Sequence, residues 1–190
     1  MNGATYGLGL LIGNVALGIL ALLFHVLLIT AAAIDARRRI FPNGLAVVMA
    51  IIALFMRVIV AYLDAQATYV GIAEVSGPIP QGRIYASVLQ NLASPLIIAV
   101  AVCAALFIFE LIWRRLRGNA GLGIGDIKLL FSLALLNPTT ALASFAIALI
   151  LLAITCLTIK KPFLPLIPFL AGTWIAVCSI PLFFLISCVS

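Results

Sequence analysis

Two aspartates, Asp35 and Asp126, are the residues of this 190-residue chain best placed to do chemistry. Each stands at the edge of an apolar run, beside residues that interrupt a regular backbone: Pro42 follows the first, and Gly123 and Gly125 precede the second. Two carboxyl groups that share one proton can hydrolyse an amide without a metal, because one acts as a base toward water and the other as an acid toward the carbonyl oxygen. We therefore interpret the pair as a candidate catalytic dyad.

Each aspartate also has an ordinary structural interpretation. Asp35 precedes Arg38 and Arg39 by three and four positions, which is the spacing of ion pairs on a helix. Asp126 stands where a carboxylate would stabilise a helix N-terminus. However, the run Gly121-Leu122-Gly123-Ile124-Gly125 before it allows irregular backbone at membrane depth, where an ionisable residue is costly unless it faces a polar cavity. That location favours the catalytic interpretation.

The composition is that of a membrane protein. Apolar residues make up 66% of the chain and charged residues 8%, a balance that would leave large apolar patches exposed on a protein in water. The net charge of +6 comes from short basic clusters beside apolar runs, which is a pattern of membrane topology and not of nucleic-acid binding. No repeat or polar linker divides residues 1–190, so a single domain is expected.

The four cysteines lie inside apolar stretches and have no paired spacing. This pattern predicts neither a zinc site nor a disulfide framework, and we expect ordinary packing for these side chains. No metal and no other cofactor is expected. The four residues are Cys103, Cys156, Cys178 and Cys188.

Span lengths predict an all-α, polytopic membrane helix bundle with about six transmembrane helices. A helix needs about 20 apolar residues to cross the hydrocarbon core. The fourth segment, from Asp126 to the turn signal Asn137-Pro138, has about 11 residues and would reach only about 17 Å. A short fourth helix is therefore expected to begin below the membrane surface. The other five segments reach or approach the full length, at about residues 6–34, 44–63, 89–113, 139–159 and 163–189.

The basic residues predict which side of the membrane each loop faces. Nine of the 11 lysines and arginines fall in alternate loops, which places these loops in the cytoplasm and both chain ends outside. Residues 64–90 then form a longer external loop that contains the breaker run Gly77-Pro78-Ile79-Pro80. The nine basic residues are Arg37, Arg38, Arg39, Arg114, Arg115, Arg117, Lys128, Lys160 and Lys161.

Three other polar residues have simpler expected roles. Lys128 follows Asp126 by two positions, about 200° around a helix, so we expect it to point away from the dyad and to anchor the helix at the interface. Glu110 is expected to pair with Arg114 four residues later. His25 lies mid-span, about 15 Å along the helix from the first aspartate, and a buried hydrogen bond is expected there.

Three segments resemble motifs of the prepilin peptidase family. Residues 35–43, Asp-Ala-Arg-Arg-Arg-Ile-Phe-Pro-Asn, are similar to its first catalytic motif, with a proline seven positions after the aspartate. Residues 123–129, Gly-Ile-Gly-Asp-Ile-Lys-Leu, resemble the second, the Gly-x-Gly-Asp motif. Residues 164–171, Leu-Pro-Leu-Ile-Pro-Phe-Leu-Ala, resemble the proline-rich start of the family's last helix. The resemblance implies a catalytic dyad of Asp35 and Asp126, supported by Pro42, Asn43, Gly123, Gly125 and Lys128.

The resemblance also implies a substrate and a location. Family members are aspartic endopeptidases that remove the short leader of type IV prepilins or pseudopilins, before the hydrophobic N-terminal helix, at the cytoplasmic face of the inner membrane. Larger members carry a cytosolic insertion with paired cysteines and also methylate the new N-terminus. This chain has neither the insertion nor the paired cysteines. It therefore resembles the short peptidases of Flp or Tad-type pili, and no methyltransferase activity is expected. Archaeal preflagellin peptidases share the same pair of aspartates.

Two other functions use similar residues. A small multi-pass transporter or proton-coupled carrier also has intramembrane carboxylates and glycine-broken helices, but such a protein is expected to contain repeat symmetry, and the sequence has none. A non-catalytic subunit of a membrane complex would use the aspartates as structural ion-pair partners. The sequence predicts no oligomeric state.

Overall fold

The computed structural model describes residues 3–76, 81–117, 123–160 and 164–187. Within these ranges the chain is entirely helical, as predicted, and it forms six helices. They are α1 (Gly3–Arg38), α2 (Asn43–Ser76), α3 (Gln81–Arg117), α4 (Ile124–Leu136), α5 (Pro138–Ile159) and α6 (Ile167–Ser187).

Four of the helices contain segments that are long and apolar enough to cross a membrane: Gly9–Arg38, Asn43–Ala67, Tyr85–Leu116 and Pro138–Ile159. The predicted short fourth helix is present, and its 13 residues reach about 20 Å, too little for a span of about 30 Å. The last helix contains a shorter apolar segment, Ile167–Ser179. The chain is thus a polytopic helix bundle, and the prediction of six crossings remains a prediction.

Residues 64–90 are not the irregular loop that we expected, and their location on the external side remains a prediction. Helix α2 continues to Ser76 and helix α3 begins at Gln81, so most of this stretch is helical. Polar residues such as Asp64 and Gln66 lower the hydropathy of the sequence, but they do not break the backbone hydrogen bonds of a helix. The run Gly77-Pro78-Ile79-Pro80 lies outside the described residues.

The break between α4 and α5 follows from two adjacent residues. Asn137 has extended backbone angles and caps α5, because its Oδ1 accepts hydrogen bonds from the Thr140 N–H at 3.2 Å and from Thr139 Oγ1 at 2.7 Å. Pro138 occupies the first helical position, where its missing N–H costs no hydrogen bond. The pair therefore ends one helix and starts the next.

Helix α4 is the most enclosed element of the bundle. It packs against α2, α3 and α5, while α6 packs against α1 and α5. More than half of its residues are buried in the apolar core, so the start of this helix is fixed by packing on several sides. These residues are Ile127, Leu129, Leu130, Ser132, Leu133, Ala134 and Leu135.

Arg57 lies inside α2 and contacts a carbonyl that α3 leaves free. Pro95 is inside α3 and has no N–H, so the carbonyl four residues earlier, that of Asn91, loses its helical donor. Arg57 Nη2 donates to this carbonyl at 2.9 Å. The cation thus satisfies a backbone acceptor that would otherwise be exposed to an apolar environment.

Candidate active site

The chain turns sharply just after Asp35. The carbonyl of this residue accepts a hydrogen bond from the Arg39 N–H at 2.8 Å, and Arg39 has a left-handed backbone with φ of 52°. A left-handed residue after the last turn is a common way to end a helix. Pro42 directly precedes α2, and its carbonyl accepts a hydrogen bond from the Ala46 N–H at 3.2 Å at the start of that helix. Only four residues therefore separate α1 from α2.

The Asp35 side chain is 8% exposed and is held by groups from two places in the sequence. The backbone N–H of Ile167, the first residue of α6, donates to its carboxylate, and the charge of Arg39 acts on it. The ion pair found among the described side chains joins Glu110 and Arg114 at 2.7 Å. Asp35 is thus placed in a pocket by a helix N-terminus and not by the surface ion pair that its spacing from two arginines allowed.

Asp126 is in the first turn of α4 and its carboxylate folds back on the start of that helix. Its Oδ2 accepts a hydrogen bond from the Gly123 N–H at 3.1 Å. A Cβ at position 123 would lie 2.9 Å from this same oxygen, so a larger residue would have to displace the carboxylate. Gly123 has an ordinary φ of −72°, so the backbone conformation does not require glycine. Its missing side chain leaves room for the Asp126 carboxylate.

Gly125 allows α4 to approach the connection between α1 and α2. A Cβ built on it would lie 2.8 Å from Cβ of Phe41, a distance shorter than real side chains adopt. This contact joins the two motif segments directly. The sequence alone does not indicate a specific partner for this glycine.

Lys128 and Asn43 form a second contact between the same segments. Lys128 Nζ donates to Asn43 Oδ1 at 2.6 Å. Asn43 is the first residue of α2, and neither side chain lines the cavity that contains the aspartates. Pro42 also lies outside that lining. Of the seven residues predicted for the site, four line the cavity, Asn43 and Lys128 contact each other outside it, and Pro42 does neither.

Both aspartates line one cavity of about 400 Å³. This volume is large compared with the roughly 30 Å³ that a water molecule occupies in the liquid. Polar groups come from the ends of α1 and α4, and apolar side chains come from α5 and from the connection to α6. The lining residues are Asp35, Arg39, Phe41, Gly123, Ile124, Gly125, Asp126, Leu149, Leu152, Leu164, Pro165, Leu166 and Ile167.

The environment of Asp126 makes its carboxyl group a weak acid. Its pKa is raised to about 7, chiefly by burial; the Gly123 N–H acts to lower the pKa, and the nearby Asp35 charge acts to raise it. Near neutral pH this group exchanges a proton easily. The pair thus has the proton content that acid and base catalysis by two carboxyl groups requires.

The sequence did not identify three contributors to the cavity. Leu149 and Leu152 belong to an apolar helix that carries no chemical signal, and the N–H of Ile167 is a backbone group that any residue except proline supplies. Glu110 and His25, the other polar residues considered in the sequence, do not line the cavity. His25 forms a hydrogen bond between its Nδ1 and the Ala21 carbonyl at 2.7 Å.

Comparison with known proteins agrees with the motif resemblance. A sequence model described as the type IV leader peptidase family matches residues 22–159, which include both aspartates. Separate comparisons with curated proteins and with solved structures found no match. Because the family match covers well over half of the chain, this integral membrane protein belongs to the type IV leader peptidase family.

Proposed function

We propose that this protein is an aspartic endopeptidase that removes the leader peptide from type IV prepilins or prepilin-like proteins. The observation that carries the proposal is the presence of Asp35 and Asp126 on the wall of one cavity. Their electrostatic interaction, which raises the pKa of Asp126, supports the same pairing. Family membership supplies the reaction class, the hydrolysis of a peptide bond.

The two carboxyl groups would have different roles. The Asp35 carboxylate accepts a hydrogen bond from the Ile167 N–H and lies near the positive charge of Arg39, and we assign it the role of the base that takes a proton from water. Asp126, with a pKa near 7, suits the acid that protonates the scissile carbonyl oxygen. Water then adds to the carbonyl carbon, and collapse of the tetrahedral intermediate breaks the C–N bond as the amine takes up a proton. Since the pair titrates as a unit, its apparent constants belong to both residues.

The cavity wall suits a substrate that is partly apolar. Leu149 and Leu152 of α5, with Leu166 before α6, line the same cavity as the two carboxyl groups. In this proposal the hydrophobic helix of a prepilin lies among the membrane spans while its basic leader stays in the cytoplasm. The cleavage site would then be determined by where the scissile bond lies relative to the membrane surface, more than by the prepilin side chains around that bond.

The proposed location is the inner membrane with the dyad on the cytoplasmic side. Asp35 and Asp126 stand at helix ends whose flanking sequences carry arginine and lysine, the residues enriched in cytoplasmic loops. Both chain ends would then face outward. Methylation of the product is not proposed, because only four residues connect α1 to α2 and the sequence has no cysteine-paired insertion.

The proposal is tested by incubating the purified protein with a prepilin and measuring the loss of a leader-length mass. Asp35→Asn and Asp126→Asn should each slow cleavage by at least about a thousandfold while the protein remains inserted. Asp64→Asn is the matched control, because this exposed aspartate undergoes the same change outside the cavity. Full processing by either dyad variant would reject the catalytic assignment, and no cleavage by the unmodified protein would favour a carrier or an assembly subunit.

A further inference from the structure

The first turn of α4 touches the α1–α2 connection at two points. Gly125 lies against Phe41, and Lys128 Nζ donates to Asn43 Oδ1 at 2.6 Å. Residues 125 and 128 are three positions apart, so they are neighbours on one side of the helix. Asp126 lies between them in sequence. Two contacts, one on each side of this residue, restrain both the rotation and the axial position of the turn that carries it.

The same connection also carries the other aspartate. Asp35 lies in the last turn of α1, which only four residues separate from α2, and its carbonyl accepts a hydrogen bond from the Arg39 N–H. The segment that Lys128 and Gly125 contact is therefore joined rigidly to the end of α1. The distance between the two carboxyl groups consequently depends on how α4 is seated against this segment.

Small rotations of α4 would matter. A side-chain tip lies roughly 5 Å from a helix axis, so a rotation of about 20° moves it by nearly 2 Å. A misplacement of about 1 Å in a catalytic group can cost about a hundredfold in rate. The contact between Gly125 and Phe41 limits approach but gives no directional bond. The hydrogen bond from Lys128 is the directional restraint of the two.

Lys128 has an environment suited to this role. Its acceptor is a neutral amide and not a carboxylate, and the ion pair found among the described side chains lies elsewhere, at Glu110 and Arg114. The lysine also lines an apolar cavity of about 620 Å³ between α2, α3 and α4. The lysine is half-buried and the hydrogen bond itself is exposed, so the direction of the bond, and not its burial, is what restrains α4.

We infer that Lys128 and Asn43 are positioning residues for the dyad, and that their hydrogen bond seats the first turn of α4 so that the Asp126 carboxyl faces Asp35. This inference rests on the proposed peptidase function. It gives Lys128 a role beyond anchoring a helix at the membrane interface. Neither residue touches the cavity in which the reaction is proposed to occur, so their effect is transmitted through α4.

The experiment is a double-mutant cycle on prepilin cleavage with Lys128→Met, Asn43→Leu and the two combined. Each single variant should lower kcat by between about tenfold and a hundredfold, with KM changed by less than about twofold, because substrate contacts remain. The combined variant should be no slower than the worse single one, since both remove the same bond. Asn43→Asp and Lys128→Arg, which keep an acceptor and a donor, should recover most of the rate.

Controls separate positioning from general effects. Arg115→Met removes an exposed charge from the same end of the bundle and should leave kcat unchanged. Assays are run well below the thermal midpoint of every variant, which is measured in parallel. Multiplicative losses in the combined variant, an unchanged kcat in Lys128→Met, or a rise in KM alone would overturn the inference. No cleavage by the unmodified protein would instead contradict the proposed function itself.

Discussion

At the scale of single residues, Asp126 combines a helix N-terminus with burial. The N-terminal turn offers N–H donors that stabilise a carboxylate, and Gly123 supplies one at 3.1 Å. Removal from water has the larger and opposite effect, so the pKa of the carboxyl group rises to about 7. Because of these opposing effects, the Asp126 carboxyl group gains or loses its proton near neutral pH.

This balance predicts a pH dependence of cleavage. Above about pH 7, Asp126 ionises, the pair loses its shared proton, and the acid toward the carbonyl oxygen disappears. The rate of prepilin cleavage, measured at saturating substrate in a series of buffers, should therefore fall as the pH rises through about 7. A rate that stays constant or increases well above pH 7 would contradict this assignment.

The same shift has a consequence for stability that serves as a control. The carboxyl pKa is 3.8 for a free aspartate and about 7 in the folded protein, so the folded state binds the proton more tightly. The free energy of unfolding should then decrease as the pH rises from about 4 to about 7 and level off above that. A rate loss that continues above pH 7 is therefore not explained by this group's effect on stability.

The sequence identified the two aspartates and the glycines because their residue types are unusual at membrane depth. It could not identify Phe41 as the partner of Gly125, or Asn43 as the partner of Lys128, because these contacts join segments about 85 residues apart. The geometry of a helix predicted only the direction in which Lys128 points. What it contacts depends on how the helices pack.

At the scale of elements, helix ends were predictable where a residue caps a helix or lacks a backbone N–H. Asn137 and Pro138 separate α4 from α5 through a side-chain cap and a missing N–H, and both signals are visible in the sequence. The continuation of α2 to Ser76 and the start of α3 at Gln81 were not predicted. There the polarity of the sequence changes before its helical structure ends.

The contact of Arg57 with α3 gives a prediction at this scale. Arg57→Met should lower the thermal midpoint in detergent or lipid, because the Asn91 carbonyl loses a donor worth about 1 to 2 kcal/mol. Pro95→Ala restores a helical N–H to that carbonyl. In the Pro95→Ala background, Arg57→Met should therefore cost clearly less. Equal losses in both backgrounds would show that Arg57 acts through some other contact.

At the scale of the whole molecule, composition alone predicted a membrane helix bundle, but not its arrangement. The long helices are apolar on nearly all sides, so their sequences do not indicate which face meets which neighbour. The placement of α4 among α2, α3 and α5 arises from shape complementarity along many small contacts. That placement is what brings a residue of the fourth helix to the end of the first.

The proposed orientation can be measured with introduced cysteines at the two ends of α3. In a chain with its native cysteines replaced, Tyr85→Cys should react with a membrane-impermeant thiol reagent added to intact cells whose outer membrane is permeable. Arg115→Cys should react only after the inner membrane is opened. Both positions are exposed in the structure. The reverse pattern would place the dyad on the outer side and contradict the proposed site of cleavage.

The contribution of α6 to the pocket has a consequence for how the sequence can drift. Ile167 offers Asp35 a main-chain amide, and nineteen of the twenty amino acids carry one. Any substitution at position 167 other than proline would keep this donor, although the Ile167 side chain is buried in the core and its packing also restricts which residues fit there. The hydrogen bond to Asp35 therefore tolerates changes of side chain at the start of α6 that the packing of this helix does not.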